Sequence, residues 1–422
     1  MKKLIVLGLA ALSIMPMQAQ TDPGDFTVDA QVRSRGEYRN GQGSLRSEGA
    51  TPATFINDRV RVGLGWERQN LSVKVAAQHT GVWGDDSQTN NSNKGNISVN
   101  EAWAKLRFGK DGVGFLQLGR QALVYDDERL LGGLDWAATG RSHDALKIGY
   151  EKGEHRLHGI IAYNQNEEKR IGNTYDGVAV YKNMQTLWYH YGTTTPLGIS
   201  LIFMNQGVEN VQQAKTHYMQ TLGFYGNGKF GDGFSANAAF YYQFGRDKND
   251  KSVSAYMASV GLKYQFMPEL SLAVGDDYIS GTGSDSEKNN TFNVLYGTHH
   301  KFYGAMDYFN NTTMPVRGLN DLNATLAYKP SKKVDLSGTY HFFSIARELQ
   351  PNSDLGKSLG SELDFQVNWR IQQFVTLQAG YSMMLASETM ESIKGGSHDS
   401  WQDWGWVSLN INPTIFSTKH RK

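Results

Sequence analysis

The sequence predicts an all-β chain: a transmembrane antiparallel β-barrel of about 18 strands, with long extracellular loops and short periplasmic turns. Three observations carry that expectation. Apolar and polar residues alternate with period two through one segment after another. The links between those segments are long and short by turns. Aromatics make up 12% of the 422 residues, with 21 Tyr and 46 Gly, although mean hydropathy is only −0.49. A barrel reads as polar on average because only every second strand residue meets lipid.

The alternation is clearest near the N-terminus. From Phe26 to Arg39, Phe26, Val28, Ala30 and Val32 take one face and Asp29, Gln31, Arg33 and Arg35 the other. Val60, Val62, Leu64 and Trp66 alternate with Arg59, Arg61, Gly63, Gly65 and Glu67. Leu71, Val73, Val75 and Ala77 oppose Lys74 and Gln78, while Ala102, Ala104, Leu106 and Phe108 oppose Glu101, Trp103, Lys105 and Arg107.

Long links are expected near 40–53, 81–96, 125–143, 164–184, 206–216, 245–252, 279–318, 346–360 and 385–401. Short ones are expected near 68–70, 109–114, 152–154, 192–197, 228–233, 267–269, 330–333 and 371–373. Nine long and eight short links imply eighteen strands with both termini in the periplasm. An open sheet edge in lipid leaves backbone groups unsatisfied, so the last strand, about Gln402 to Asn412, should pair with Phe26 to Arg39. Aromatics at segment ends, among them Tyr189, Tyr191, Tyr241, Tyr242, Trp404 and Trp406, suit interfacial girdles, though strand propensity alone explains any single cluster.

Composition removes several function classes. There is no cysteine, which excludes disulfides, thiol catalysis and thiolate metal sites together. A net charge of +1 with 20% charged residues gives no bulk field for nucleic acid. Lys2 and Lys3, the apolar run Leu4 to Ile14 and a cut near Ala19 or Gln20 read as a secretory signal. Residues 1–20 are thus expected to be a signal peptide and 21–422 a single barrel domain.

The densest chemistry lies between Gln117 and Tyr150. Asp126, Asp127, Glu128, Arg129, Asp135, Arg141 and Asp144 are mixed there with Tyr125 and Trp136. Paired charges, glycines and aromatics in one short stretch suit a folded insert inside a polar cavity rather than a solvated loop. Link 279–318, which carries the aromatic run Phe292 to Asp307, is too long for a turn and should fold into or over the lumen.

Several pieces resemble the bacterial alginate-export family of outer-membrane barrels. They are Leu118-Gly119-Arg120-Gln121, Arg129-Leu130-Leu131-Gly132, Asp135-Trp136, Gly140-Arg141-Ser142 with Asp144-Ala145-Leu146, then His300-Lys301-Phe302-Tyr303-Gly304 with Asp307, and Gly360-Ser361-Glu362-Leu363-Asp364. The resemblance implies an eighteen-stranded barrel whose arginine-rich constriction passes an anionic polysaccharide.

In a barrel the polar strand faces point inward. Arg33, Arg35, Arg39, Arg59, Arg61, Lys74, Lys105, Arg107 and Lys147 then line one wall, partly offset by Asp29, Glu37, Glu67 and Glu101. Basic rings select anions, and arginine holds carboxylates by a planar two-point contact. The narrowest point is expected at Arg120, Arg129 and Arg141, held by Asp126, Asp127, Asp135 and Asp144. The competing expectation is that these charges neutralise one another and staple the inward loop.

Other motifs carry little. Asp85 to Asn90 has oxygen ligands but lacks the glycine and distal glutamate of a calcium loop, so only a loose calcium contact in an outer loop is expected and no other cofactor. His299 and His300 are adjacent and point to different sides; Ser142 and His143 are likewise adjacent, which disfavours a working nucleophile–base pair. The function expected is a channel for anionic saccharides or other carboxylated solutes, with outer-membrane lipid and periplasmic secretion partners around it and no nucleic acid. A general or small-anion porin, a barrel enzyme and an adhesin are the alternatives.

Overall fold

A computed structural model describes residues 24–85, 88, 96–177, 180–193, 195–350 and 354–419. The signal segment, and most of the stretch proposed for a calcium contact, lie outside the described residues. The chain forms one closed antiparallel sheet. Its first half comprises β1 (Asp25–Asn40), β2 (Ala53–Arg68), β3 (Leu71–Val82), β4 (Asn96–Phe108), β5 (Gly114–Gln121), β6 (His143–Lys152), β7 (His155–Tyr163), β8 (Asn183–Tyr191) and β9 (Leu197–Asn210). The second comprises β10 (Lys215–Phe230), β11 (Phe234–Arg246), β12 (Ser252–Met267), β13 (Leu270–Ile279), β14 (Leu319–Ser331), β15 (Val334–Ser344), β16 (Ser358–Gln372), β17 (Val375–Ala386), β18 (Gln402–Ile411) and β19 (Thr414–Ser417).

Strand β1 closes the ring. It pairs with β2 on one edge, Val32 opposite Val60, and with β18 on the other, Val32 opposite Ile411. β19 continues β18 along the same edge, so the nineteen segments make an eighteen-strand barrel. The break falls at Pro413, which has no N–H to donate, and the ladder resumes through Ala30 N to the Pro413 carbonyl at 3.0 Å. The last strand therefore lies where closure of the barrel is expected to put it, paired with the first.

Period two sets the faces. Val60, Val62 and Leu64 are about 40% exposed on the outside, whereas Arg59, next to Val60, is fully buried. A soluble protein would not leave such an apolar belt in water; the acyl chains of a bilayer cover it. Tyr242 and Tyr191 join this outer surface, but Tyr241, Trp404 and Trp406, expected in the girdles, are buried on the inner side. Their neighbours Val407 and Leu409 take the lipid face instead.

The inner wall is not uniformly polar. Met204, Met219, Tyr241, Ala255 and Met257 are buried there because two links fold inward and pack on them, bringing Leu123, Leu131, Phe292, Val294 and Tyr296. The first is the 122–142 link and the second the 280–318 link. They meet in a short parallel bridge between Leu131 and Tyr296, with Gly132 N donating to the Tyr296 carbonyl at 3.0 Å and Tyr296 N to that of Leu130 at 2.9 Å. This contact explains two glycines. A Cβ on Gly297 would lie 2.1 Å from the Arg129 carbonyl oxygen, and one on Gly132 2.3 Å from Thr298 Oγ1. A third link adds helix α1 (Glu388–Lys394), capped by Ser387, whose hydroxyl accepts from Met390 N at 3.1 Å.

Candidate functional site

The first inward link is clamped from below by the wall. Arg33 donates to the carbonyls of Asp135 (2.6 Å) and Ala137 (2.9 Å), and Arg35 to that of Trp136 (3.0 Å). Arg59 pairs with the Asp135 carboxylate at 2.9 Å, with Arg33 and Arg61 just under 4 Å from it. Gln78 donates to the Thr139 carbonyl at 2.8 Å. Arg33, Arg35, Arg59 and Arg61, expected to line an open lumen, are thus committed to holding an insert. Glu37 completes the set by accepting from Arg35 and Arg39, both at 2.8 Å, and from Trp404 Nε1 at 3.1 Å.

The residues expected at the narrowest point separate. Arg129 is buried between two carboxylates, Asp127 and Asp277, each at 2.8 Å, with its guanidinium 4.0 Å from the Phe302 ring centroid. Burial would lower its pKa, but Asp277, Tyr303 and Asp127 raise it above the ordinary arginine value, so the charge is fixed. Arg141 donates to the Gly297 carbonyl at 2.8 Å and ties the two inward links together.

Arg120 and Asp144 correct the expectation. They pair at 3.1 Å on the outer face, because Arg120 shares parity with the lipid-facing Leu116 and Leu118 and lies opposite Asp144 in the β5–β6 register. Asp126 holds no arginine either. It accepts from Trp188 Nε1 at 3.1 Å, and burial pushes its carboxyl up to about 6. Lys105 and Arg107 lie on the inner wall beside Phe115, Lys105 Nζ 3.9 Å from the ring centroid, with Arg107 also 3.8 Å from Glu151.

Both links are held in strained conformations. Asp126, Glu128 and Leu134 in the first, and Leu295, Tyr303 and Asp307 in the second, take φ between +48 and +72° without being glycine. Such backbone persists only where surrounding contacts over-determine it. Trp136 is similarly fixed, stacked on His300 at 4.1 Å with the Arg35 guanidinium 4.0 Å from its centroid. His300 Nδ1 in turn lies 3.0 Å from the Asp307 carboxylate. Ser142 Oγ makes no hydrogen bond among the described residues, and His143 Nδ1 faces the Tyr181 hydroxyl at 2.7 Å rather than the serine.

Beneath the links, toward the short turns, lies a cavity of about 1790 Å³. Glu128, Arg129, Trp136, His300, Lys301 and Phe302 form its ceiling. Each acid on its wall has a basic partner. Asp277 has Arg129 at 2.8 Å, Asp321 has His341 at 2.8 Å, Asp364 has His341 at 3.5 Å, Glu128 has Lys301 at 2.8 Å and Asp135 has Arg59 at 2.9 Å. The side chains of the wall cations Arg156, Lys229 and Lys263 make neither an ion pair nor a hydrogen bond among the described residues. Sequence reasoning missed these three. Lys229 fell in the turn drawn at 228–233, although the alternation Tyr225, Asn227, Lys229 continues through it and β10 runs to Phe230.

A family model described as alginate export matches residues 25–400. No curated protein matches the chain. Among solved structures it is similar to Acinetobacter baumannii OccAB4, at 11% identity and a TM-score of 0.64, covering 93% of this chain and 99% of that one. Pseudomonas aeruginosa OpdO is similar at 12% identity and TM-score 0.63, over 93% and 98% of the two chains. Pseudomonas aeruginosa OccK2, whose structure is described as a complex with glucuronate, is similar at 10% identity and TM-score 0.62, again over 93% and 98%. At these identities the likeness is one of fold.

Proposed function

Since this chain belongs to the alginate export family of outer-membrane barrels, we propose that its lumen passes anionic saccharides, of the uronate type or otherwise carboxylated, across the outer membrane. The observation that carries the proposal is the charge imbalance in the cavity. The wall acids all lie beside bases, with Asp321 and Asp364 sharing His341, while the side chains of Arg156, Lys229 and Lys263 make no such contact among the described residues and are placed to meet a solute. In a low-dielectric tube such unpaired cations attract and orient anions. Several weak cationic contacts also suit a solute that must leave again, which one tight site would prevent.

Committed arginines support a transport reading in a second way. They hold the inward links through fixed carbonyl and carboxylate contacts, and in the Ser142–His143 pair the imidazole Nδ1 meets the Tyr181 hydroxyl rather than the serine. This favours a channel over a barrel enzyme. The narrowing imposed by the two links, with the glucuronate complex of OccK2 among similar folds, favours short carboxylated solutes as the second reading.

Liposome swelling tests the proposal. Proteoliposomes should admit glucuronate faster than glucose at low ionic strength, and raising salt should narrow the difference because free surface charges are screened. Equal entry of the two sugars at low salt would overturn it.

A further inference from the structure

One row of the inner wall carries only asparagine and glycine across six strands. Across β9 to β14 the register sets Gly198 opposite Asn227, Asn227 opposite Asn237, Asn237 opposite Gly261, Gly261 opposite Gly275, and Gly275 opposite Asn323. All six residues line the cavity. With strands about 4.8 Å apart, the row runs about 24 Å around the wall.

The asparagines lean over the glycines. A Cβ on Gly198 would fall 2.6 Å from Asn227 Oδ1, one on Gly261 2.9 Å from Asn237 Nδ2, and one on Gly275 3.0 Å from Asn323 Oδ1. A side chain at any of these positions would push the amide away, so glycine lets it lie against bare backbone. Asn227 and Asn237 make no side-chain hydrogen bond among the described residues, and Asn323 makes one long contact, 3.3 Å to the Asp321 carbonyl. Each amide keeps a donor and an acceptor open to the cavity. One step toward the short turns, the next row holds Lys229 opposite Ser235 and Ser235 opposite Lys263.

We propose that this Asn–Gly row is a saccharide subsite. Asn227, Asn237 and Asn323 exchange hydrogen bonds with sugar hydroxyls, the side-chain-free floor at Gly261 and Gly275 leaves room for a ring, and Lys229 and Lys263 take its carboxylates. The subsite rests on the anionic-solute reading and sharpens it, because the amides select for hydroxyls as well as charge. A site that hydrogen-bonds hydroxyls discriminates against analogues that lack them.

The experiment uses the full-length protein in planar bilayers, with blockers added on the periplasmic side. The probes are a uronate hexasaccharide and a short polyacrylate, which has carboxylates but no hydroxyls. The Asn227→Ala/Asn237→Ala variant should weaken block by the uronate at least about tenfold, as expected for two lost hydrogen bonds, and leave block by polyacrylate as in the parent. Lys229→Gln/Lys263→Gln should weaken both. If the asparagine variant changes both blocks equally, or neither, the subsite is wrong while the anion channel stands. If neither polyanion blocks the parent protein, the anionic-solute reading fails, and the subsite with it.

Discussion

Replacing residues 126–139 with a short glycine–serine link should raise single-channel conductance several-fold. The 122–142 link crosses the lumen and is fixed there by carbonyls that accept from Arg33, Arg35 and Gln78, by the Asp135–Arg59 pair and by the Arg141 bond to Gly297. None of these contacts belongs to the sheet ladder, which closes through β1 and β18 without them. The barrel should therefore survive the exchange, checked by its heat-resistant migration on a gel, while the obstruction goes. The freed Arg33, Arg35, Arg59 and Arg61 would then face the lumen, so the enlarged pore should also prefer anions more strongly. Unchanged conductance in a folded variant would mean that the path does not run past this link.

Replacing Arg129 by alanine should cost about 3–5 kcal/mol, because it strands the carboxylates of Asp127 and Asp277 without their shared cation. Burial already raises the Asp127 carboxyl, with the arginine as the main counterweight. The loss should appear as a marked fall in the temperature at which the barrel becomes denatured on a gel. Asp127→Asn in the same background should recover part of it by removing one uncompensated charge. A midpoint unchanged by Arg129→Ala would show that the buried triad contributes no stability.

The barrel was legible because its determinants are local. Parity at Val60, Val62 and Leu64 against Arg59 and Arg61 sets the lipid side, and the link lengths set the order of strands. The inward insert was legible too, since its mixed charges and aromatics suit no solvated loop. What the charges do there was not. Arg33, Arg35 and Arg59 sit at inward positions, but their partners are carbonyls some hundred residues away, which no spacing reveals. Arg120 and Asp144 were grouped with the insert by closeness in sequence, whereas their strand parity, shared with Leu118 and Leu146, sends them outward. Lys229 and Lys263 lie on the inner face among Asn227, Ser235, Ser259 and Gly261, so no charge cluster marks them. The same dilution hides the asparagine row, which exists only once six strands are set in register.

The most direct test is the reversal potential in a potassium chloride gradient across a bilayer holding the parent protein and the Arg156→Gln/Lys229→Gln/Lys263→Gln variant. The parent should be anion-selective, and the variant should move clearly toward cation preference with its conductance otherwise retained. A cation-selective parent, or a triple variant with the parent's reversal potential, would contradict the central claim that unpaired bases in the lower lumen draw anions through this barrel.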